Sequence, residues 1–279
     1  MGNSTYREVL TRASSFLEAQ KKEGYSIQFL FLERKNWTKL DWLKHMNELI
    51  SEEDEQQIAK DLARLVADHP AQYILGYADF YDHRLKVTQD TLIPRPETEE
   101  LVELCLNECG TEPLSVVDIG TGTGAIAISL KAKRPEWSVS AIDLSEGALA
   151  VAKENAHNEE VSITFYQGDT LAPVKNQKFD VILSNPPYIA EAEWDLMDES
   201  VRKFEPKLAL FAPENGLAMY KKIAKEAQRC LHPTGKIFLE IGFQQGEAVK
   251  AIFTQAFPEK QVEIRQDLFG NERMVYVHE

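Results

Sequence analysis

The chain has 279 residues, 43% of them hydrophobic and 27% charged, with 14 Gly and 12 Pro. A chain of this length suggests about two domains and buries about three quarters of its unfolded surface, and the composition excludes disordered, collagenous and low-complexity classes. The net charge of −14 argues against a protein that lives on bulk phosphate contacts. Residues 1–90 carry 12 basic and 15 acidic side chains, so most of the excess acid lies beyond them.

Residues 1–70 read as helices of a small bundle. Tyr6, Val9, Leu10, Ala13, Phe16 and Leu17 follow helical spacing, and Leu40, Leu43 and Ile50 begin to repeat it. Ser51 is a good N-cap before an acidic first turn, Glu52, Glu53 and Asp54. That helix shows Ile58, Leu62, Leu65 and Val66 and stops near His69-Pro70. In residues 71–96, Phe80–Tyr81 and Leu85–Val87 flank Asp82-His83 as a β-hairpin. The prolines of Leu92-Ile93-Pro94-Arg95-Pro96 force an extended backbone that cannot lie inside a helix. A helix from about Glu97 to Cys109 follows.

From residue 114 apolar strands alternate with amphipathic helices. The strands are 114–119, 138–143, 161–166, 179–184 and 236–241; the helices are 124–133, 145–157 and 216–231. This alternation implies an α/β fold with a doubly wound parallel sheet. Segments 261–266 and 273–278 lie too close together for a crossover helix and form an antiparallel edge hairpin, giving seven strands. The expected division is 1–70 helical, 71–96 hairpin and linker, and 97–279 the sheet domain.

Asp118-Ile119-Gly120-Thr121-Gly122-Thr123-Gly124 leaves a strand and enters a helix. Glycines there allow a tight turn and close approach to a ligand, and the helix start offers free N–H groups. Gly120, Gly122 and Ala125 also match the dinucleotide fingerprint, so NAD competes with S-adenosylmethionine for this loop. Asp143 ends the next strand, 23 residues after Gly120, where an acid can accept from both ribose hydroxyls. Asp169-Thr170 follows the third strand at the carboxyl edge and could face an adenine. Asp118 suits a cationic sulfonium better than it suits NAD.

The fourth strand runs into Asn185-Pro186-Pro187-Tyr188. An amide or aromatic NH₂ is a poor nucleophile because its lone pair is delocalised. The Asn185 side-chain oxygen and the Pro186 carbonyl can each accept one N–H and aim that lone pair at a methyl carbon. The prolines preorganise the acceptors, and Tyr188 can stack on the flat substrate group. The reaction is an in-line displacement catalysed mainly by positioning.

Here the sequence resembles class I S-adenosylmethionine-dependent methyltransferases that modify NH₂ groups. Gln72-Tyr73-Ile74-Leu75-Gly76, Leu92-Ile93-Pro94-Arg95-Pro96-Glu97-Thr98-Glu99, Phe204-Glu205-Pro206 and Gly270-Asn271-Glu272-Arg273 narrow the resemblance to the peptide chain release factor N5-glutamine methyltransferases, the PrmC/HemK family. It covers nearly all of residues 70–279 and is weaker over 1–70. The resemblance implies a class I methyltransferase fold and methylation of the glutamine amide in the Gly-Gly-Gln loop of bacterial-type release factors. It implies that the helical N-terminal domain docks that partner. It also implies that Gly120, Thr121, Gly122, Thr123, Gly124 and Asp143 hold S-adenosylmethionine, whose product is S-adenosylhomocysteine, with Thr170 near its adenine; Asp118, Asp169 and Asn185 complete the expected cofactor set. Asn185, Pro186, Pro187 and Tyr188 hold the glutamine, with Asn185, Pro186 and Tyr188 catalytic. Arg95 and Glu97 shape the loop beside the site or pin the two domains.

Nucleic-acid and ribosomal-protein glutamine amino-methyltransferases share the fold and are the alternative; the charge and the lack of a basic run weigh against nucleic acid. A non-catalytic interaction protein is disfavoured by the intact Asn185 and Tyr188. No metal is expected, since the six His show no zinc-binding spacing. Cys105, Cys109 and Cys230 read as buried structural thiols. A reducing cytoplasm, no membrane span, no signal peptide and a monomer are expected. Met1-Gly2 opens like a myristoylation site, but Tyr6 stands where Ser or Thr is required.

Overall fold

The computed structural model describes residues 4–279; Met1-Gly2 lies outside the described residues. The chain divides into two compact units: Met1–Tyr77 with Asp198–Phe204, and Ala78–Met197 with Glu205–Glu279.

The first unit holds α1 (Tyr6–Ala19), α2 (Tyr25–Lys35), α3 (Lys39–His45), α4 (Glu52–Val66) and α5 (Ala71–Leu75). Thr5 caps α1 in a reciprocal box with Glu8, and the Ser51 hydroxyl accepts from the Asp54 N–H at the start of α4. Tyr6, Val9, Leu10, Ala13 and Leu17 form the buried stripe of α1 and meet Ile27, Leu30 and Phe31 of α2 and Ile58 and Leu65 of α4. Within this core a buried carboxylate, Asp61, accepts from Arg34 at 2.7 and 3.0 Å. Phe16, placed on the apolar face by its spacing, is instead half exposed. Leu40 and Leu43 do not continue the stripe either: α3 is a single short helix whose leucines face solvent, and Ile50 is buried outside any helix.

The second unit opens at Ala78 within the hairpin β1 (Tyr77–Phe80) and β2 (His83–Lys86), followed by α6 (Pro96–Glu108). Pro96 occupies the first helical turn, where the missing N–H has no partner to lose, so the helix starts one residue before the expected Glu97. There follow β3 (Ser115–Ile119), α7 (Ala125–Lys133), β4 (Ser138–Asp143), α8 (Glu146–Asn158), β5 (Thr164–Gln167) and β6 (Phe179–Ser184). The inserted helix α9 (Glu199–Phe204) belongs to the first unit, where Lys203 pairs with Asp68 at 2.7 Å. The remaining elements are α10 (Lys207–Leu210), α11 (Ala218–Cys230), β7 (Leu231–Glu240), α12 (Gly246–Ala256), β8 (Gln261–Gln266) and β9 (Glu272–His278).

The sheet order is β5-β4-β3-β6-β7-β9-β8, parallel through β7, with β9 antiparallel to both β7 and β8. This is the seven-stranded doubly wound sheet with an antiparallel edge that the pattern implies. Val116 and Val117, adjacent in β3, fall in different cores, as a sheet covered on both faces requires. One core joins α6 and α7 to the hairpin residues Phe80 and Leu85; the other lies under α11 and α12. Two strands start three or more residues away from their expected positions. Val161 and Ile163 pack on the core, but pairing with β4 begins only at Thr164. The strand expected at 236 begins at Leu231, which reaches Phe179 across a bulge. Helix α12, absent from the sequence reading, buries Val249 and Phe253. Cys105, Cys109 and Cys230 are buried and unbridged.

Candidate active site

A cavity of about 380 Å³ lies in the second unit where β3, β4 and β6 end, the switch region of a doubly wound sheet. Its size falls in the range of small-molecule sites, roughly 300–1,000 Å³. Gly120, Gly122, Asp143, Leu144, Asp169 and Thr170 line one end, and Ser184, Asn185, Pro186 and Pro187 the other. Residues 89–92 and parts of 206–213 complete the wall.

At the first end the backbone sets the shape. Gly120 and Gly122 have φ of 72° and 55°, the left-handed region that side chains rarely adopt, with open space where a Cβ would stand. Asp143 holds the loop: one oxygen accepts from the Gly122 N–H and the other from the Ser145 N–H, both at 2.9 Å. Burial pushes its carboxyl up, and those backbone N–H groups pull it down.

Asp118 differs from its expected place beside a sulfonium. It is fully buried and outside the cavity lining, with one oxygen accepting from the Thr121 hydroxyl at 2.6 Å and the other without a hydrogen-bond partner. Burial raises its carboxyl to about 7; the Thr121 hydrogen bond opposes this and the charge of Asp143 adds to it. Thr121, Thr123 and Gly124 likewise lie outside the lining. The Thr123 carbonyl accepts from Asn155 of α8 at 2.9 Å, and Gly124 caps α7. These four residues support the loop from within the fold. Asp169 is half exposed and pairs with Lys222, and the Thr170 hydroxyl donates to Glu226 at 2.5 Å, which occupies the proton it could have offered an adenine.

At the second end side chains set the shape. Asn185 Nδ2 donates to the Thr98 hydroxyl oxygen at 3.0 Å, and that hydroxyl donates to Glu240 Oε2 at 2.6 Å. Thr98 and Glu240 are both buried. Tyr188 departs from its expected role as a stacking surface: it is not in the cavity lining, and its ring packs on the core under α11. Burial and the Glu240 charge push its phenol up. Its carbonyl accepts from Gln245 Nε2 at 2.9 Å, and Ile189 bonds to Leu210 and Ala212. The turn therefore runs inward after Pro187 and is clamped from both sides.

Arg95 pairs with Glu205, whose other oxygen accepts from the Ile93 N–H at 3.2 Å. Two stretches far apart in sequence, 93–95 and 205–206, are thus joined beside the cavity. Sequence reasoning missed Thr98, Glu240, Gln245 and Glu205 as parts of the site. The available signals were a polar residue inside the Pro-Arg-Pro-Glu-Thr-Glu stretch and a lone acid closing the apolar run Ile237–Leu239. Among the described residues no group of His, Cys, Asp and Glu is placed to hold a metal ion.

Residues 8–76 match the family model of the PrmC N-terminal domain, and residues 99–209 that of the methyltransferase small domain. A release factor glutamine methyltransferase of Enterococcus faecalis is 58% identical over 96% of this chain and 97% of its own length. The chain belongs to the release factor glutamine methyltransferase family. A further member, from Lactococcus lactis, is 48% identical over 94% of this chain and 96% of its own. The solved structure of a methyltransferase from Pyrococcus furiosus superposes with a TM-score of 0.54 at 17% identity, over 79% of this chain and 98% of that one. That likeness shows the fold, the class I methyltransferase sheet, on which this release factor glutamine methyltransferase family member builds its cavity.

Proposed function

We propose that this enzyme transfers a methyl group from S-adenosylmethionine to the side-chain amide nitrogen of the glutamine in the Gly-Gly-Gln loop of bacterial-type peptide chain release factors. Family membership supports the reaction class. The observation that carries the site reading is Asn185: it lines the cavity beside Pro186 while its NH₂ group is committed to Thr98. Its oxygen is then the end left to accept from a substrate amide.

The residues fit the cofactor. The open space above Gly120 and Gly122, the Asp143 carboxylate with lone pairs to spare, and the apolar Leu144 and Ala148 suit an adenosyl group. S-adenosylmethionine supplies an electrophilic methyl on a sulfonium. In this reading Gly120, Gly122, Asp143, Asp169, Thr170 and Asn185 hold it, while Asp118, Thr121, Thr123 and Gly124 shape the loop. Asn185 Oδ1 and the Pro186 carbonyl each accept one N–H of the glutamine amide, which turns its nitrogen lone pair toward the methyl carbon. Pro187 walls the glutamine, and Tyr188 anchors the turn. The chain supplies position rather than a strong base; the extra proton leaves after transfer.

Residues 1–70 are the part we assign to docking the release factor. The net charge of −14 supports a protein partner over naked nucleic acid. No helix among the described residues is long and apolar enough to cross a membrane. We take the enzyme as a cytoplasmic monomer; sedimentation tests the oligomeric state.

The test is incubation with methyl-labelled S-adenosylmethionine and a purified release factor, beside the Gln→Ala form of its Gly-Gly-Gln loop. Label on the unaltered factor alone is expected. Equal label on both forms, or label on neither, contradicts the reading.

A further inference from the structure

The two ends of an asparagine side chain are nearly the same shape and opposite in function: C=O accepts, NH₂ donates. A substrate amide presenting N–H groups to Asn185 needs the oxygen. Rotated by half a turn, the side chain would oppose donor to donor. Something must therefore choose the end that faces the cavity.

The choice is visible in the chain of hydrogen bonds behind Asn185. Glu240 closes β7 at the carboxyl edge of the sheet, and an ionised carboxylate only accepts. The Thr98 hydroxyl has one proton and directs it to Glu240 Oε2 at 2.6 Å. Its oxygen can then only accept, and it takes a proton from Asn185 Nδ2 at 3.0 Å. We propose that Thr98 and Glu240 act as positioning residues, a two-step polarity relay that holds the Asn185 oxygen toward the substrate amide. This inference rests on the function proposed above.

The surroundings of Glu240 allow its charge to matter. Tyr188 places its hydroxyl 3.5 Å from Oε1, and Tyr220 of α11 donates to the Glu240 backbone carbonyl at 2.9 Å. From β9, Arg273, itself bonded to Asp267, stabilises the carboxylate, and from α6, Glu97 opposes it. Burial pushes the Glu240 carboxyl up to about 7, against the Thr98 hydrogen bond and the Arg273 charge. A protonated Glu240 can donate to Thr98, which frees the Thr98 proton to point at Asn185 and permits the wrong rotamer. Loss of the relay therefore lowers turnover on the acid side.

The experiment measures single-turnover methyl transfer against pH for the wild type, Thr98→Val, Thr98→Ser and Glu240→Gln, together with cofactor affinity and the side-chain amide NMR signals of Asn185. Those signals are assigned by their loss in Asn185→Ala. T98V keeps the shape and removes the relay. It should slow transfer by about 10–100-fold, a little less than losing a direct contact, while cofactor affinity stays within about twofold. T98S restores the hydroxyl and should recover most of the rate. In E240Q the acid-side fall near pH 7 should flatten. The Asn185 NH₂ signals should shift in T98V and return in T98S, with no substrate present. Wild-type transfer rates in T98V, or Asn185 signals indifferent to the hydroxyl, overturn the relay. A wild-type enzyme that labels no release factor overturns the proposed function instead, and the NMR comparison still decides whether the relay exists.

Discussion

The two ends of the cavity are built differently. The end lined by Gly120 and Gly122 is shaped by backbone within one short stretch, braced from β4 by the Ile142 carbonyl and by Asp143, which accepts from the Gly122 N–H, and from α8 by Asn155, which donates to the Thr123 carbonyl. The end lined by Asn185 depends on side chains from α6, β6 and β7, separated by 87 positions between Thr98 and Asn185 and by 142 between Thr98 and Glu240. The first holds a ligand by leaving room for it. The second directs a reaction by fixing the polarity of a few atoms. Substitutions at the first end should act on cofactor affinity, and those at the second on turnover.

The largest expected effect is at the second end. Asn185→Ala removes one of two acceptors for the substrate amide and should slow methyl transfer by about 10²–10³-fold, with a much smaller fall in cofactor affinity. Calorimetry beside single-turnover rates separates the two; an equal fall in both would erase the distinction between the ends.

Beneath the first end, Asp118 gives a test through stability. Its folded carboxyl lies near 7 against an ordinary 3.8, so the native state binds a proton more readily than the unfolded chain. Stability from this group is fully present below about pH 4, is lost as pH rises to about 7, and stays lower above. Asp118→Asn keeps an acceptor for the Thr121 hydroxyl and removes the buried charge. It should raise unfolding free energy at pH 8 by at most on the order of 4 kcal/mol and change it little at pH 4. Urea titrations at both pH values check this; a variant destabilised equally at both contradicts it.

Arg95 tests the support behind the cavity wall, next to the lining residues 89–92 and Pro206. Arg95→Ala leaves Glu205, almost wholly buried, with only the Ile93 N–H. A cost of about 1–3 kcal/mol in stability is expected, read by the same titrations. The effect should be smaller in R95A combined with Glu205→Gln, because the uncompensated charge is gone.

The smallest effect is at Gly122. A Cβ meets open space there, so the cost of Gly122→Ala is the φ of 55° alone, roughly 1–2 kcal/mol. Cofactor affinity should fall about tenfold, with turnover at saturating cofactor preserved. A fall in saturated turnover instead would show that the loop also positions the reacting atoms.

The same contrast explains what was legible in the sequence. The order of strands and helices, the edge hairpin and the strand-end position of Asp143 follow from local periodicity and punctuation, which adjacent residues carry. Asn185 was legible because Asn-Pro-Pro-Tyr is contiguous. Its support was not: nothing near Thr98 in sequence announces Glu240, and only the packing of α6 across β6 and β7 brings them together. Asp118 was placed beside the cofactor because proximity in sequence suggested proximity in space. The alternation of β3 instead turns it into the fold, where Thr121 meets it. Tyr188 was read as a substrate surface for its aromatic ring, but the inward turn after Pro187 directs that ring to the core. Helix α12 was legible in principle, since Val249, Ile252, Phe253 and Ala256 follow helical spacing, but its start at Gly246 carries a poor helix former and no side-chain cap.

The central claim is that the Asn185 end of the cavity methylates one glutamine amide. Its most direct test is fragmentation mass spectrometry of a release factor after incubation with S-adenosylmethionine and either the wild-type enzyme or N185A. The account predicts one added methyl, located on the side chain of the Gly-Gly-Gln glutamine, with the wild type and almost none with N185A in the same time. A methyl on any other residue, or the same yield from N185A, would contradict it.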